Sequence, residues 1–211
     1  MKNILVLLAD WANGIFAVLL ASWCTGAEVV WWYFLVGILL AMCPDLDAIP
    51  ELWRRGKLAA SSEHPTDHRD GLHYPIVFIV AGTLLAWWLG FWGFVFLFAT
   101  LLHFINDLYG TGWGIKLLWP FTSHNYKFLG RRVNRLKFLL VSDGDWAHIN
   151  TSERRLRLLV SWSKDELPSY IDRWGDEDWI ERWYLRLNWI SCIEYGLFGI
   201  ALILAVVTLL Y

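Results

Sequence analysis

Cysteine is scarce in this 211-residue chain, with three residues in all, and Cys24, Cys43 and Cys192 stand far apart. That spacing offers neither a disulfide framework nor a cysteine-type zinc site. An excess of positive charge is also missing: 18 Lys and Arg face 20 Asp and Glu. No attraction to nucleic acid follows from such a balance. Internal repeats and low-complexity tracts are absent, which excludes solenoids and disordered arrays. The first apolar run has no small-residue cleavage site and only Lys2 as a basic flank, so it reads as a retained span, not a signal peptide.

What the chain has in quantity is apolar surface. Hydrophobic residues make up 57% of it, including 16 Trp, 12 Phe and 8 Tyr. A bilayer-spanning helix needs about 20 mostly apolar residues. Five runs meet that length: Ile4–Trp23, Ala27–Cys43, Leu72–Leu89, Phe91–Tyr109 and Trp189–Tyr211. The fold class expected is all-α, a polytopic membrane helix bundle with about five transmembrane helices. The organisation expected is a four-span bundle over residues 1–121, a mostly helical cytoplasmic or interfacial segment over 122–188, and a last span over 189–211. Ser163 and Glu166 predict a capping box within that segment. Asp176, Glu177 and Asp178 suit a helix N-terminus ahead of Trp179, Trp183 and Leu187. Tryptophan prefers the membrane interface, so this helix reads as interfacial, with a soluble tryptophan-cored hairpin as the alternative.

The turn Gly90–Gly93 is too short for anything but an antiparallel hairpin of the third and fourth spans. Alternation then puts Lys2, the loop Pro44–Gly71 and the segment from Gly110 to Asn188 on one side. That side holds Lys2, Arg54, Arg55, Lys57, Arg69 and thirteen more basic residues between Lys116 and Arg186, which is every Lys and Arg in the chain. By the positive-inside rule this side is cytoplasmic. The localisation expected is a bacterial or archaeal inner membrane.

Polar clusters gather on the same side. Pro44 ends the second span, and Asp45 and Asp47 follow in chain expected to be extended, where i and i+2 point one way. His68, Arg69 and His73 stand before the third span, with Pro75 suited to its first turn. His103 and Asp107 are four apart, on one face of the fourth span. Asp10 and Asn13 lie near the same end of the first. Ionisable groups in apolar runs are costly and face a bundle interior with partners. Imidazole and carboxylate together hold divalent zinc, manganese or iron, and a metal offsets the repulsion of gathered carboxylates. His124 and His148 read as ordinary polar positions.

The motifs "PDLD", "HRDGLH" and "HFINDLYG", followed by "LLWPF", resemble a family of bacterial and archaeal inner-membrane proteins. Its members are described as membrane-bound metal-dependent hydrolases and also as LexA-binding inner-membrane-associated proteins. In the family pattern His-Arg-Gly-x-Thr-His, this chain keeps His68, Arg69 and His73 but has Asp70 and Leu72 for the usual Gly and Thr. Asp10 stands where the family carries a first-span histidine, four residues before Gly14. An insertion, "GTGWGIK", precedes "LLWPF". The order of ligand types is also similar, less specifically, to that of zinc-dependent phospholipases C.

These resemblances imply a divalent metal, zinc first, with Asp45, Asp47, His73, His103 and Asp107 as ligands and Asp10 as an extra one. His68 is expected as ligand or general base and Arg69 as the anchor of a substrate phosphate. The activity implied is hydrolysis of an amphiphilic phosphoester among the membrane lipids. The competing reading is a non-catalytic membrane protein with a structural metal, binding a regulatory protein through its long segment. In that reading the basic stretch Arg131–Lys137 is a docking site for partner or headgroups. A transporter fits less well, because the outer halves of the spans lack clear ionisable residues.

Overall fold

A computed structural model describes residues 2–56, 69, 71–134, 148–175 and 179–211, with the side chains of residues 2, 3 and 55 set aside. His68 and Asp70 lie outside the described residues, as do residues 135–137 of the basic stretch and the acidic run 176–178. In chain order the elements are α1 (Lys2–Thr25), α2 (Trp31–Ala41), a 3-10 turn (Pro44–Asp47), α3 (Ala48–Arg55), α4 (Pro75–Leu89) and α5 (Phe91–Tyr109). There follow β1 (Asn125–Gly130), α6 (Thr151–Arg154), β2 (Arg157–Trp162), α7 (Leu167–Trp174), α8 (Trp179–Trp183) and α9 (Trp189–Leu210).

The chain is a helical membrane bundle, with fewer full-length spans than the apolar runs suggest. Among the described residues, three helices are long and apolar enough to cross: Ile4–Thr25, Phe91–Tyr109 and Trp189–Leu210. The second run forms an 11-residue helix that bends by 48° into Pro44–Arg54. Cys43, expected to be pushed out of the helical region by Pro44, keeps helical dihedrals of -57° and -40°; the break comes instead where Pro44, with no N–H to donate, opens the 3-10 turn. The third run gives 15 residues, Pro75–Leu89, about 22 Å at helical rise and short of a full bilayer core. Leu72 to Tyr74 are drawn off that helix instead, and they bring His73 inward.

The bundle centres on α1, which packs against α2, α5 and α9, while α4 packs on α5. Small residues let these helices approach. The core holds Ala12, Ala17, Ala21, Ala41, Ala99, Ala201 and Ala205 with Val18 and Val95. In a membrane, close van der Waals contact drives helix association more than water exclusion does. At the α1–α2 crossing Gly14 faces Gly37, and a Cβ on either would meet the partner's backbone. Large side chains such as Leu84, Trp87 and Trp88 point outward, the surface a lipid-facing helix presents.

The segment after α5 departs from the mostly helical expectation. β1 and β2 pair antiparallel, with Asn125 opposite Trp162 and Lys127 opposite Val160. Val160 and Trp162 alternate inward along β2 and join Trp113, Leu167 and Ile171 in a small core. Two-residue alternation in "LVSW" is the strand signal that the helical reading passed over. The Glu166 N–H donates to Ser163 Oγ at 3.2 Å, the first half of the predicted box. Arg131 donates to the Arg154 carbonyl at 2.9 Å, and Arg132 pairs with Glu166. The described part of the basic stretch therefore ties this unit together. Trp183 and Tyr184 pack back on Leu5 and Val6 of α1.

Candidate metal centre

Four elements deliver the site. The 3-10 turn, not extended chain, places Asp45 and Asp47, and at three residues per turn their side chains diverge. They reach opposite nitrogens of one imidazole. Asp45 Oδ1 lies 3.3 Å from His73 Nε2, and Asp47 Oδ2 lies 3.1 Å from His73 Nδ1. Asp47 Oδ2 also accepts the Leu72 N–H at 2.6 Å, which fixes the approach of the chain into α4. Gly71 makes room, since a Cβ there would stand 2.7 Å from that of Asp47.

On α5 the i,i+4 spacing does what the sequence expects: His103 Nε2 and Asp107 Oδ2 are 3.3 Å apart. The other His103 nitrogen, Nδ1, is 2.7 Å from Asp10 Oδ1 on α1. Each imidazole thus presents Nδ1 to one carboxylate, Asp47 or Asp10, and turns Nε2 to a shared point. There His73 Nε2 is 3.3 Å from Asp107 Oδ2 and His103 Nε2 is 3.6 Å from Asp45 Oδ1. The ligand atoms of Asp45, His73 and His103 all lie within 4.8 Å of one another. Four donors held about 2.0 Å from a common centre, as in tetrahedral zinc, stand about 3.3 Å apart. The residues fit a divalent metal.

Two further observations agree. His103 Nε2 and Asp107 Oδ2 are buried without a hydrogen-bond partner among the described residues, a costly arrangement that a cation relieves. The carboxylates of Asp45, Asp47 and Asp107 all stand within 3.3 Å of the His73 ring nitrogens. The cluster is electrostatically a cation's place.

Arg69 joins from the other side. Its Nη2 is 2.5 Å from Asp107 Oδ1, and its Nη1 donates to the Thr111 carbonyl at 2.9 Å. Gly112 has φ of +90°, and Arg69 packs so closely that a Cβ there would strike the guanidinium. The inserted "GTGWGIK" therefore shapes the seat of Arg69. Behind it Lys127 donates to the Gly112 carbonyl at 2.9 Å and to Asn134 Oδ1 at 3.0 Å. Burial, with repulsion from Arg69 and Arg131, lowers the Lys127 pKa to about 7.

A cavity of about 300 Å³ opens on the cluster, touching Asp10, Asp45, Arg69, His103 and Asp107. Its walls are largely apolar, with Val6, Leu7, Ile49, Leu52, Trp113 and Trp183 among them. Three residues here were not singled out in the sequence. Thr111 and Lys127 gave no signal, being loop and strand positions whose neighbours are set by folding. Glu194 did give one: it is a lone carboxylate within the last apolar run, where an ionisable residue is costly. Asn13 is buried beside Asp10, its Nδ2 without a hydrogen-bond partner among the described residues. His124 is exposed, its Nδ1 2.7 Å from Thr122 Oγ1, away from the cluster.

Among known proteins, the family described as YdjM inner membrane protein matches residues 11–162. No curated protein and no solved structure matches. The matched segment holds Asp45, Asp47, Arg69, His73, His103 and Asp107, whereas Asp10 lies just before it and Glu194 beyond it.

Proposed function

The chain belongs to the YdjM inner membrane protein family, and from that premise we propose that it is a metal-dependent hydrolase of amphiphilic phosphoesters at the cytoplasmic face of the membrane. The observation that carries the reading is the convergence of His73 Nε2, His103 Nε2, Asp45 Oδ1 and Asp107 Oδ2, with neighbouring edges of 3.3 to 3.6 Å. These four would hold the metal, zinc first and manganese or iron next. Asp47 and Asp10 then serve as the carboxylates that orient the two imidazoles and raise their basicity, the arrangement common behind metal-bound histidines. A divalent metal bound there supplies a Lewis acid and makes water a nucleophile at neutral pH.

The chain's own groups do the rest. Arg69 presents a planar fork of donors at the cavity, suited to phosphate oxygens. Its pairing with Asp107 aims it there. The apolar walls beyond exclude water and accept the hydrocarbon part of an amphiphile. Four protein ligands by themselves would suit a structural metal, so catalysis here requires that water enter as a further ligand, and that needs an open approach. The cavity touches Asp45, His103 and Asp107 directly, which favours the hydrolase over the structural alternative.

Metal analysis and phosphoesterase assay of detergent-purified protein test the reading. Asp107→Ala and His73→Ala should each remove most of the bound metal, and the activity with it. Unchanged metal content and unchanged activity in both variants would sink the proposal.

A further inference from the structure

The last span carries a carboxylate that the hydrolase reading leaves unused. Glu194 on α9 is 2% exposed, and its Oε2 has no hydrogen-bond partner among the described residues. It lines the same cavity as Asp45, His103 and Asp107. Tyr184 and Thr111 line that cavity as well. A Cβ added to Gly110 would stand 3.5 Å from Glu194 Oε1, so the carboxylate sits against the chain that leaves α5. Acids in membrane helices are costly and persist where they meet a partner or a substrate. Here a buried carboxylate with an unpartnered oxygen stands in the wall of the cavity.

Resting on the phosphoester reading above, we infer that Glu194 is a second polar pole of the cavity and accepts a hydrogen bond from the substrate's headgroup. The donor is a hydroxyl or an ammonium on the alcohol portion, near its phosphate. The cluster and Arg69 take the phosphate, and the apolar walls take the hydrocarbon. Substrates of this class are phosphoesters of a polyol or an amino alcohol. A plain alkyl or polyprenyl phosphate leaves Oε2 buried and unmatched. Sites that hold such a polar group reject the analogue lacking its partner far more strongly than apolar pockets reject a missing methylene.

The test is calorimetric titration of glycerol 3-phosphate, phosphoethanolamine and n-propyl phosphate into the detergent-purified, zinc-loaded full chain. Glycerol 3-phosphate or phosphoethanolamine should bind about tenfold more tightly than n-propyl phosphate, the size expected for one hydrogen bond. Preference for the first identifies a hydroxyl donor, and preference for the second an ammonium. Glu194→Met should abolish the preference while leaving bound zinc and n-propyl phosphate affinity within about twofold. Glu194→Gln, which keeps shape and a carbonyl acceptor, should weaken the preferred ligand several-fold, and it decides the matter if the Met variant does not fold. Equal binding of all three phosphates, or an unchanged preference in these variants, overturns the inference and leaves the hydrolase reading standing. Failure of all three to bind zinc-loaded protein overturns both.

Discussion

Asp10 and Asp47 differ from Asp45 and Asp107 in which imidazole nitrogen they meet, and that difference sets what each substitution should do. Asp10→Asn and Asp47→Asn keep the shape but weaken the hold on Nδ1 of His103 and His73. Zinc affinity should fall about 10- to 100-fold, read by competition with a chelating dye, whereas Asp107→Ala should lose most of the metal. Equal losses in all three variants would show that the two shells are not distinct. Lys127 gives a pH signature. Its pKa is lowered from 10.5 to about 7, so between those values the unfolded chain binds the extra proton and stability rises with pH. Below pH 7 both states carry the charge and the penalty is full. Lys127→Met should therefore gain most over wild type below pH 7, with the gap in melting temperature narrowing by pH 9. A gap that is flat across this range would contradict the assignment.

Elements of this protein are held by contacts as small as an absent methyl group. Gly14 and Gly37 let α1 and α2 touch backbone to backbone. Gly37→Leu overpacks that crossing and should cost about 1–3 kcal/mol, seen as earlier thermal unfolding in detergent. At the start of α9, Asn188 accepts from Ile190 and Ser191 N–H groups at 3.0 and 3.1 Å, and Ser191 Oγ accepts from the Asn188 N–H. Asn188→Ala should lose about 1–2 kcal/mol through the broken box, and Asn188→Asp should retain much of it. Of the box predicted at Ser163 only the bond from the Glu166 N–H forms among the described residues, since the Glu166 carboxylate goes to Arg132 and α7 begins after Glu166, while the box at Asn188 lacked the Glu or Gln that marks one in sequence. The turn at Pro44 shows the limit of local reading. Proline announced a helix end, but whether Asp45 and Asp47 leave it extended or as a 3-10 turn depended on His73 packing between them.

At the scale of the whole molecule, the charge distribution makes a claim that labelling decides. If the alternation of spans puts every Lys and Arg on the cytoplasmic side, as the positive-inside rule predicts, Cys24 should face outward and Leu158 inward. In a chain with Cys43 and Cys192 replaced by alanine, an impermeant maleimide should label the exposed Cys24 in intact cells. In the same background lacking Cys24, Leu158→Cys should react only after permeabilisation. The reverse pattern would invert the topology. Much of the protein was legible without coordinates: apolar runs mark membrane helices because lipid demands them, and i,i+4 spacing pairs His103 with Asp107 because the helix repeat requires it. Gathering of Asp45, His73 and His103 was foreseeable only as a shared side of the membrane. Their division into atoms that converge and carboxylates that stand behind was decided by tertiary packing, because which nitrogen of a ring faces which neighbour depends on elements far apart in the chain. The same holds for Arg69 on the Thr111 carbonyl and for Glu194 beside the cavity. Sequence by itself determined the apolar medium and the polar residues placed at the ends of the apolar runs; only the folded bundle decided which runs become full spans and which of those residues meet, since contact between separate spans is set by how closely their small residues let them pack.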